Sequence, residues 1–144
     1  MSTIKEVLDR KGSSILTVPG STSVLDAIGK MSEANIGDIV IQDGDQPAGI
    51  FTERDSVRKI ALEGRASEDT PVSSVMSSPL ITAPSGESSR SAMETMTERR
   101  CRHLIIVDDD EMVGIVSLGD LVKHLLVEAQ AEVEQLSSYI AGSY

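Results

Sequence analysis

The sequence has few of the residues that stack on a flat ligand or link chain segments covalently. Aromatic residues make up only 2% of the chain, with one Phe, two Tyr and no Trp. The core must therefore be aliphatic, with Met filling gaps, and a flat ligand would have to lie against aliphatic side chains. The single cysteine, Cys101, excludes an intrachain disulfide and gives no indication of an oxidising compartment.

Long apolar runs and positive charge are also scarce. No stretch approaches the roughly 20 apolar residues that span a bilayer, and the N-terminal segment has no apolar signal core, so we expect a cytoplasmic protein. Thirteen Lys and Arg against 23 Asp and Glu give a net charge of −10. Because that field repels nucleic acids and anionic membranes, we expect neither as a partner.

Recognisable catalytic motifs are missing from the sequence. It contains no P-loop, no G-x-G-x-x-G and no G-x-S-x-G, and no nucleophile–base pair emerges, so we expect no enzyme. Two His without clustered Cys or H-E-x-x-H spacing predict no metal site. Cys101, among arginines, is either a reactive or a buried structural thiol, and its alignment with apolar Ile36 favours the structural role.

An internal repeat is the strongest feature that is present. At an offset of 65 residues, positions 15–63 align with 80–128 without a gap. The most informative pair is GIFTERD at 49–55 and GIVSLGD at 114–120. We predict a first repeat over 1–69, a second over 70–128 and a C-terminal helical extension over 129–144. A single repeat of this size would be marginal alone, which favours packing of two copies.

Each repeat has the same predicted order, β-α-β-β-α. Ser23 and Ser88 are the expected N-caps of the first helix in each copy, and a second helix follows Thr52 and Ser117. Two such repeats predict an α/β (α+β) fold with a pseudo-twofold axis and two equivalent clefts between the halves. The predicted strands cover 15–18, 38–42 and 48–51 in the first copy and 80–82, 103–107 and 113–116 in the second.

The repeated motif allows two interpretations. In the first, Thr52 and Ser117 are helix N-caps, and Asp55 and Asp120 occupy the third helical position, which is the carboxylate variant of a capping box. In the second, the helix N-terminus and the hydroxyl hold a phosphate, while the carboxylate accepts both ribose hydroxyls. The glycine in the preceding strand would allow another group to approach the backbone closely. The residues alone leave both interpretations open.

The two motifs, together with ILTVPGST, LITAPSGE and RHLIIVDDD, make the chain similar to a tandem pair of cystathionine-β-synthase (CBS) domains, a Bateman module. The resemblance extends from about Val7 to about Glu128. It implies a sensor module that binds an adenosine nucleotide (AMP, ADP or ATP) in clefts between the repeats, with or without Mg²⁺. No other cofactor is implied.

The resemblance also implies roles for individual residues. The motif aspartates, Asp55 and Asp120, would take the ribose, and the motif hydroxyls of Thr52 and Ser117 would approach phosphate. Residues beside the first strand of each repeat would frame the adenine with backbone groups. The full predicted nucleotide-binding set is Thr17, Val18, Gly37, Asp38, Thr52, Arg54, Asp55, Thr82, Ala83, Arg102, His103, Ser117 and Asp120.

The two copies differ where phosphate would bind. The second has Arg102-His103 where the first has Gly37-Asp38, and it has Gly119 where the first has Arg54. Further basic residues, Arg99, Arg100 and Lys123, are close to the second motif in sequence. We predict that the second site binds nucleotide more tightly than the first.

The C-terminal stretch carries an apolar stripe at helical spacing. Its members are Val122, Leu125, Ala129, Val133, Leu136 and Ile140, which predict a helix from Leu118 to about Ile140. The stripe either folds back on the core of its own chain or meets a second chain. Because Bateman modules commonly pair, we favour a homodimer.

The combined expectation is a stand-alone, non-catalytic regulatory module that binds adenosine nucleotides and acts on a separate target protein. A different class, a ligand-free protein interaction or dimerisation module, is the alternative that the overall acidity and Asp38 support.

Overall fold

The protein is described here by a computed structural model that covers residues 2–78 and 80–142. The chain divides into two compact units: residues 14–80 form one, and residues 1–13 together with 81–144 form the other. In chain order the elements are α1 (Ile4–Lys11), β1 (Thr17–Pro19), α2 (Val24–Ala34), β2 (Asp38–Asp43), β3 (Gln46–Thr52), α3 (Glu53–Asp55), a π-helix (Ser56–Ala61), a 3₁₀ turn (Val72–Ser74), β4 (Thr82–Ala83), α4 (Ser89–Arg99), β5 (His103–Asp108), β6 (Glu111–Ser117) and α5 (Leu118–Ile140).

Each unit contains one three-stranded mixed sheet. In the first, β1 runs parallel to β2 and β2 runs antiparallel to β3; in the second, β4, β5 and β6 repeat that order. The two sheets and the five α-helices of the described residues confirm the predicted α/β (α+β) class.

The first helix of each repeat begins at the predicted cap. The Ser23 hydroxyl accepts the Asp26 N–H at 3.1 Å, and the Ser88 hydroxyl accepts the Ser91 N–H at 3.0 Å. Both helices end in a left-handed residue, Asn35 and Arg100, each with φ of 54°. These caps satisfy N–H and C=O groups that a helix end leaves without partners.

The sequence did not predict α1, which packs in the second unit. Ile4, Val7 and Leu8 are at most 6% exposed and join its core. Their i, i+3, i+4 spacing, the Thr3 cap and Gly12 after the last turn are the signals that indicate a helix here. Residues 72–76 have the corresponding place in the first unit, whose core contains Val72 and Val75.

The compact units therefore cut across the sequence copies. Residues 2–13 lie within the predicted first repeat but belong to the second unit, and residues 70–78 lie within the predicted second repeat but belong to the first unit. The predicted boundaries at 69/70 and 128/129 describe copies in the sequence and stay predictions. Residues 143–144 of the predicted extension lie outside the described residues.

The first strand of each sheet is shifted from its predicted position. We expected strands at 15–18 and 80–82 that end before proline, but β1 includes Pro19 and β4 covers only Thr82–Ala83. Pro19 is tolerated because β1 is an edge strand, so the N–H that proline lacks is not needed for a hydrogen bond to a second neighbouring strand.

The two motif helices differ in length and winding. After Thr52 the chain makes three α-helical residues and then a π-helical turn, whereas α5 continues for 23 residues. The end of α5 at Ile140 confirms the predicted helix. The Asp108–Asp110 segment closes the β5–β6 hairpin, with φ of 50° at Asp109 and 64° at Asp110.

Candidate functional site

Both motifs form complete capping boxes at the strand-to-helix junction. The Thr52 hydroxyl accepts the Asp55 N–H at 3.2 Å, and Asp55 Oδ2 accepts the Thr52 N–H at 3.1 Å. The Ser117 and Asp120 pair does the same at 3.0 and 2.9 Å. The capping interpretation of both motifs is therefore confirmed.

The Asp55 carboxylate is buried, at 8% exposure, and is surrounded by donors. Besides the Thr52 N–H, it accepts the Thr52 hydroxyl at 3.2 Å and the Ser77 hydroxyl at 3.3 Å, and Lys59 Nζ lies 3.3 Å from Oδ1. Lys59 also donates to the Val75 carbonyl at 3.0 Å. A carboxylate has about four lone-pair positions, so its own chain supplies most of the partners that Asp55 can take.

The Asp120 carboxylate is more open, with 27% of its side chain exposed. Lys11 Nζ on α1 donates to Oδ2 at 2.6 Å and to the Ile115 carbonyl at 2.9 Å. Burial acts to raise the pKa of this carboxyl, but the Lys11 and Ser117 hydrogen bonds and the Lys11 charge outweigh it, so the pKa lies below its ordinary value.

Each motif aspartate thus has a lysine partner, and the two lysines come from different places. Lys59 follows Asp55 by one helical turn, a spacing that the sequence could have indicated. Lys11 is 109 residues from Asp120, and no local pattern points to it. At the repeat offset Lys59 aligns with His124 and Lys11 with Met76, so comparing the copies could not have revealed either pair.

The middle-strand residues lie beside the motif hydroxyls. The antiparallel register pairs Asp38 with Thr52 and His103 with Ser117. The preceding carbonyls also contact the helix starts: Gly37 accepts the Glu53 N–H at 3.1 Å, and Arg102 accepts the Leu118 N–H at 2.8 Å. Each unit therefore brings its middle strand and its motif together.

The residues expected near adenine lie on the edge strands, β1 and β4. Val18 and Ala83 are buried, at 1% and 6% exposure, and belong to the two cores. Thr17 is half-buried and Thr82 is exposed. Arg54 is exposed in the first turn after Thr52. Because their side chains are buried, Val18 and Ala83 can contact a ligand only through their backbone groups.

An open pocket lies beside the motif helix of each unit. The pocket at Ser117 has a volume of about 580 Å³, and the pocket at Glu53 about 520 Å³, both within the range of small-molecule sites. The lining of the Ser117 pocket is Arg102, His103, Ser117, Leu118, Gly119, Val122, Lys123 and Leu126. The lining of the Glu53 pocket is Ile28, Met31, Ser32, Asn35, Ile36, Gly37, Glu53, Ser56 and Val57.

The two pockets have opposite charge. Arg102, His103 and Lys123 give the Ser117 pocket basic groups, whereas Glu53 is the charged side chain that lines the other. A Cβ added at Gly119 would meet only Ser117 Oγ, at 3.7 Å, so that position leaves space. The Ser117 pocket is therefore the one whose chemistry suits an anion.

The motif glycines make room for side chains of the protein itself. A Cβ at Gly114 would lie 2.7 Å from Leu8 Cδ2, and one at Gly49 would lie 2.5 Å from Met76 Sδ. The close approach predicted at these glycines is therefore present, but the approaching groups are core side chains.

Cys101 is half-buried against the core of the second unit. Burial raises the pKa of its thiol above the ordinary value, against the lowering effect of backbone hydrogen bonds and Arg99. A raised pKa leaves less thiolate, so the site lacks the activation that reactive cysteines show.

The sequence of the two motif-bearing halves matches one known family. The family model of the CBS domain matches residues 4–61 and again residues 72–127. The chain belongs to the CBS domain family. The double match confirms the tandem CBS pair that the sequence predicted.

Relatives of this CBS pair come from distant organisms. The chain is 38% identical to the mitochondrial CBS domain-containing protein CBSX3 of Arabidopsis thaliana, over 99% of this chain and 74% of that protein. It is 32% identical to the CBS domain-containing protein YhcV of Bacillus subtilis, over 99% of this chain and 92% of that protein. Since CBSX3 is mitochondrial, the cytoplasmic location of this chain stays a prediction. In the described part of the chain no helix combines the length and apolarity needed to cross a membrane.

Solved structures share the fold. A protein with CBS domains from Burkholderia ambifaria is 38% identical with a TM-score of 0.82, covering 88% of this chain and 95% of its own. A CBS domain protein from Pyrobaculum aerophilum, solved in complex with AMP, is 21% identical with a TM-score of 0.74, covering 90% of this chain and 98% of its own. The second likeness concerns the fold alone.

Proposed function

We propose that this CBS pair is a non-catalytic regulatory module that binds an adenosine nucleotide at its motifs, with the Ser117–Asp120 motif as the tighter site. The observation that carries the proposal is the basic pocket at Ser117, where Arg102, His103 and Lys123 surround a helix N-terminus. A helix start with basic groups around it favours a phosphate. The AMP complex of the Pyrobaculum aerophilum relative supports the adenosine nucleotide as the ligand class.

The hydroxyls of both motifs already contact their aspartates. Thr52 Oγ1 accepts the Asp55 N–H and donates its own proton to Asp55 Oδ2. Ser117 Oγ accepts the Asp120 N–H, and a hydrogen bond from its side chain helps to lower the pKa of Asp120. A hydroxyl has one proton to donate, so a phosphate oxygen that accepts it would replace the aspartate as its partner in either motif.

The two motif carboxylates differ in exposure. Lys11 Nζ and the Ser117 N–H both donate to Asp120 Oδ2, and 27% of that side chain is exposed, so it is accessible to a ribose hydroxyl. Both oxygens of Asp55 already have partners, and the residue is buried. Asp38 beside Thr52 and Glu53 in the pocket lining add negative charge near the first motif. A nucleotide phosphate would be repelled there unless a cation such as Mg²⁺ accompanies it.

Binding can be tested by a thermal-shift screen of the full chain with AMP, ADP, ATP, NAD and S-adenosylmethionine, with and without Mg²⁺. A ligand at 100 times its dissociation constant adds about 2.7 kcal/mol to the free energy of unfolding. We expect one or more adenosine nucleotides to raise Tm. No rise with any of them at millimolar concentration would contradict the proposal, and turnover of the nucleotide during incubation would contradict its non-catalytic part.

The C-terminal half of α5 supports a proposed homodimer. Its apolar side chains are exposed: Val133 at 61%, Leu136 at 61% and Ile140 at 79%. This part of the stripe thus does not fold back on the core, and burial against a second copy would remove it from water. A CBS-CP12 relative from cyanobacteria, 20% identical, is hexameric. If the nucleotide screen is negative, this surface favours the alternative function, a ligand-free dimerisation or interaction module; in either case the regulated target would be a separate protein.

A further inference from the structure

The second unit brings one histidine and two carboxylates together where α1 packs on α5. Glu6 lies on α1, and His124 and Glu128 lie one turn apart on α5. One potential ligand atom from each of the three residues lies within 4.8 Å of the others. The sequence predicted no metal site because its two His have neither clustered Cys nor H-E-x-x-H spacing, and Glu6 reaches the other two residues only through the packing of α1.

His124 is the unusual member of this cluster. It is only 6% exposed, and within the described part of the chain neither ring nitrogen has a hydrogen bond. Nε2 nevertheless lies 3.0 Å from Glu128 Oε1, a buried oxygen that also has no hydrogen bond there. Buried polar atoms are nearly always paired, so two such atoms facing each other need an explanation.

We propose that Glu6, His124 and Glu128 bind a divalent transition-metal ion, with Zn²⁺ as the best match. At the tetrahedral angle, metal–ligand bonds of about 2.0–2.2 Å place neighbouring donor atoms about 3.3–3.6 Å apart, so Nε2 and Oε1, now 3.0 Å apart, need to separate only slightly to share an ion. A shared ion satisfies both atoms at once. An imidazole with two carboxylates suits Zn²⁺ better than Mg²⁺ or Ca²⁺, which prefer oxygen ligands throughout.

The cluster belongs to the second unit alone. At the repeat offset Glu6 aligns with Pro71 and His124 with Lys59, neither of which can replace the ligand. Asp120 precedes His124 by one helical turn, and Lys11, its partner, is on the same helix as Glu6. An ion that joins α1 to α5 would therefore also hold Lys11 against Asp120.

The test is isothermal titration of the full, chelator-treated chain with Zn²⁺. We expect one strong site per chain, with no comparable binding of Mg²⁺ or Ca²⁺. Glu6→Gln, Glu128→Gln and His124→Gln should each weaken Zn²⁺ by at least the roughly 10–100-fold that even outer-shell changes cause. Asp9→Asn on α1 and Glu132→Gln on α5 remove charge from exposed positions of the same helices and should bind as the parent does.

A second readout identifies the ligand directly. The chain has two histidines, so the ring resonances of His124 should shift with Zn²⁺ in an NMR titration while those of His103 stay in place. If His124→Gln does not fold, Glu6→Gln and Glu128→Gln still decide the outcome, because Glu6 is exposed and Glu128 is half-exposed. Unchanged affinity in both, or loss of binding in Cys101→Ser instead, would overturn the proposal. So would absence of Zn²⁺ binding, which would leave His124 and Glu128 as an ordinary ion pair.

Discussion

Lys11 and Asp120 are 109 residues apart in sequence, yet the Lys11 ammonium lies 2.6 Å from Asp120 Oδ2. The side chains are 31% and 27% exposed, so screening by water limits the pair to at most about 1 kcal/mol. Its main effect is positional: α1 places a cation at the motif carboxylate of the second unit. Lys59 does this for Asp55 from the next helical turn.

The lowered pKa of Asp120 predicts a pH dependence of stability. A depressed folded pKa means that the ionised carboxylate stabilises the fold above its unfolded pKa of about 3.9, and that this contribution is lost as pH falls through the folded value. The difference in unfolding free energy between the parent and Asp120→Asn should be largest near neutral pH and shrink below about pH 4. Urea denaturation from pH 3 to 7 measures it.

The titration of Asp108, whose pKa is also lowered, does not disturb that comparison. Hydrogen bonds from the Ser85 hydroxyl and N–H lower the pKa of Asp108, against a smaller effect of burial. Because Asp108 is present in both proteins, its contribution cancels in the difference. A parent-to-variant difference that stays constant over this pH range would show that the Asp120 charge does not contribute.

The contact between Leu8 and Gly114 predicts strong coupling between α1 and β6. A Cβ at Gly114 would lie 2.7 Å from Leu8 Cδ2, so Gly114→Ala should destabilise the protein by about 1–3 kcal/mol through overpacking. Leu8→Ala should cost about 2–5 kcal/mol through the cavity that it leaves. In the double variant the added methyl occupies part of that cavity, so the combined cost should be less than the sum. Urea denaturation of the four proteins gives the coupling energy.

Gly29→Ala is the matched control for this double-mutant comparison. Gly29 lies within α2, and a Cβ there would have no neighbour within 4 Å. Gly29→Ala should therefore stabilise the protein by up to about 1 kcal/mol through helix propensity. Strict additivity of Leu8→Ala and Gly114→Ala would mean that α1 does not pack on β6 in solution.

The local signals of the sequence were enough for most of the fold. Ser23 and Ser88 were expected as caps, and a capping box was one of the two interpretations of each motif, because the partners are three residues away. The interval Val122 to Ile140 predicted α5 through its periodicity. The helix α1 was missed although its spacing and caps indicate a helix, and no local signal shows that its apolar face packs in the second unit.

The candidate site also combines features that the sequence indicated with contacts that it did not. The register of neighbouring strands brings His103 to Ser117 and Asp38 to Thr52, and all four residues belong to the predicted nucleotide-binding set. Lys11 and Ser77 were not foreseen, because both come from segments outside the β-α-β-β-α pattern. The residue types of the motif also could not distinguish a cap from a ligand group, because the same hydroxyl and carboxylate serve both.

The differences between the motifs predict unequal nucleotide sites. Asp120→Ala should abolish most of the calorimetric AMP binding, because it removes the more exposed of the two motif carboxylates. Asp55→Ala should leave the affinity of the tighter site within about threefold of the parent, since ΔΔG values at separate sites add within about 0.5 kcal/mol. Equal losses in the two variants would contradict the assignment, and circular dichroism of each checks that it is folded.

Arg102 should discriminate phosphate from nucleoside. It lines the pocket at Ser117, and a hydrogen bond to a charged group contributes about 1.5–3 kcal/mol. Arg102→Ala should therefore weaken AMP by about tenfold or more and leave adenosine nearly unchanged, in titrations at constant ionic strength. Arg90→Ala, on the exposed face of α4, is a control that removes the same charge. Equal weakening of AMP and adenosine would exclude a phosphate role for Arg102.

The exposed stripe on α5 predicts a dimer that charge can disrupt. Val133 and Leu136 are each 61% exposed, so Val133→Glu and Leu136→Glu cost little in the monomer but would place a charge inside an apolar interface. Light scattering coupled to size exclusion should give a dimer mass for the parent and a monomer mass for either variant. Glu134→Gln, on the same helix, changes one charge outside the stripe and should keep the parent mass. A parent that is already monomeric at high micromolar concentration, or variants with unchanged mass and helicity, would place the partner of this stripe in a different protein.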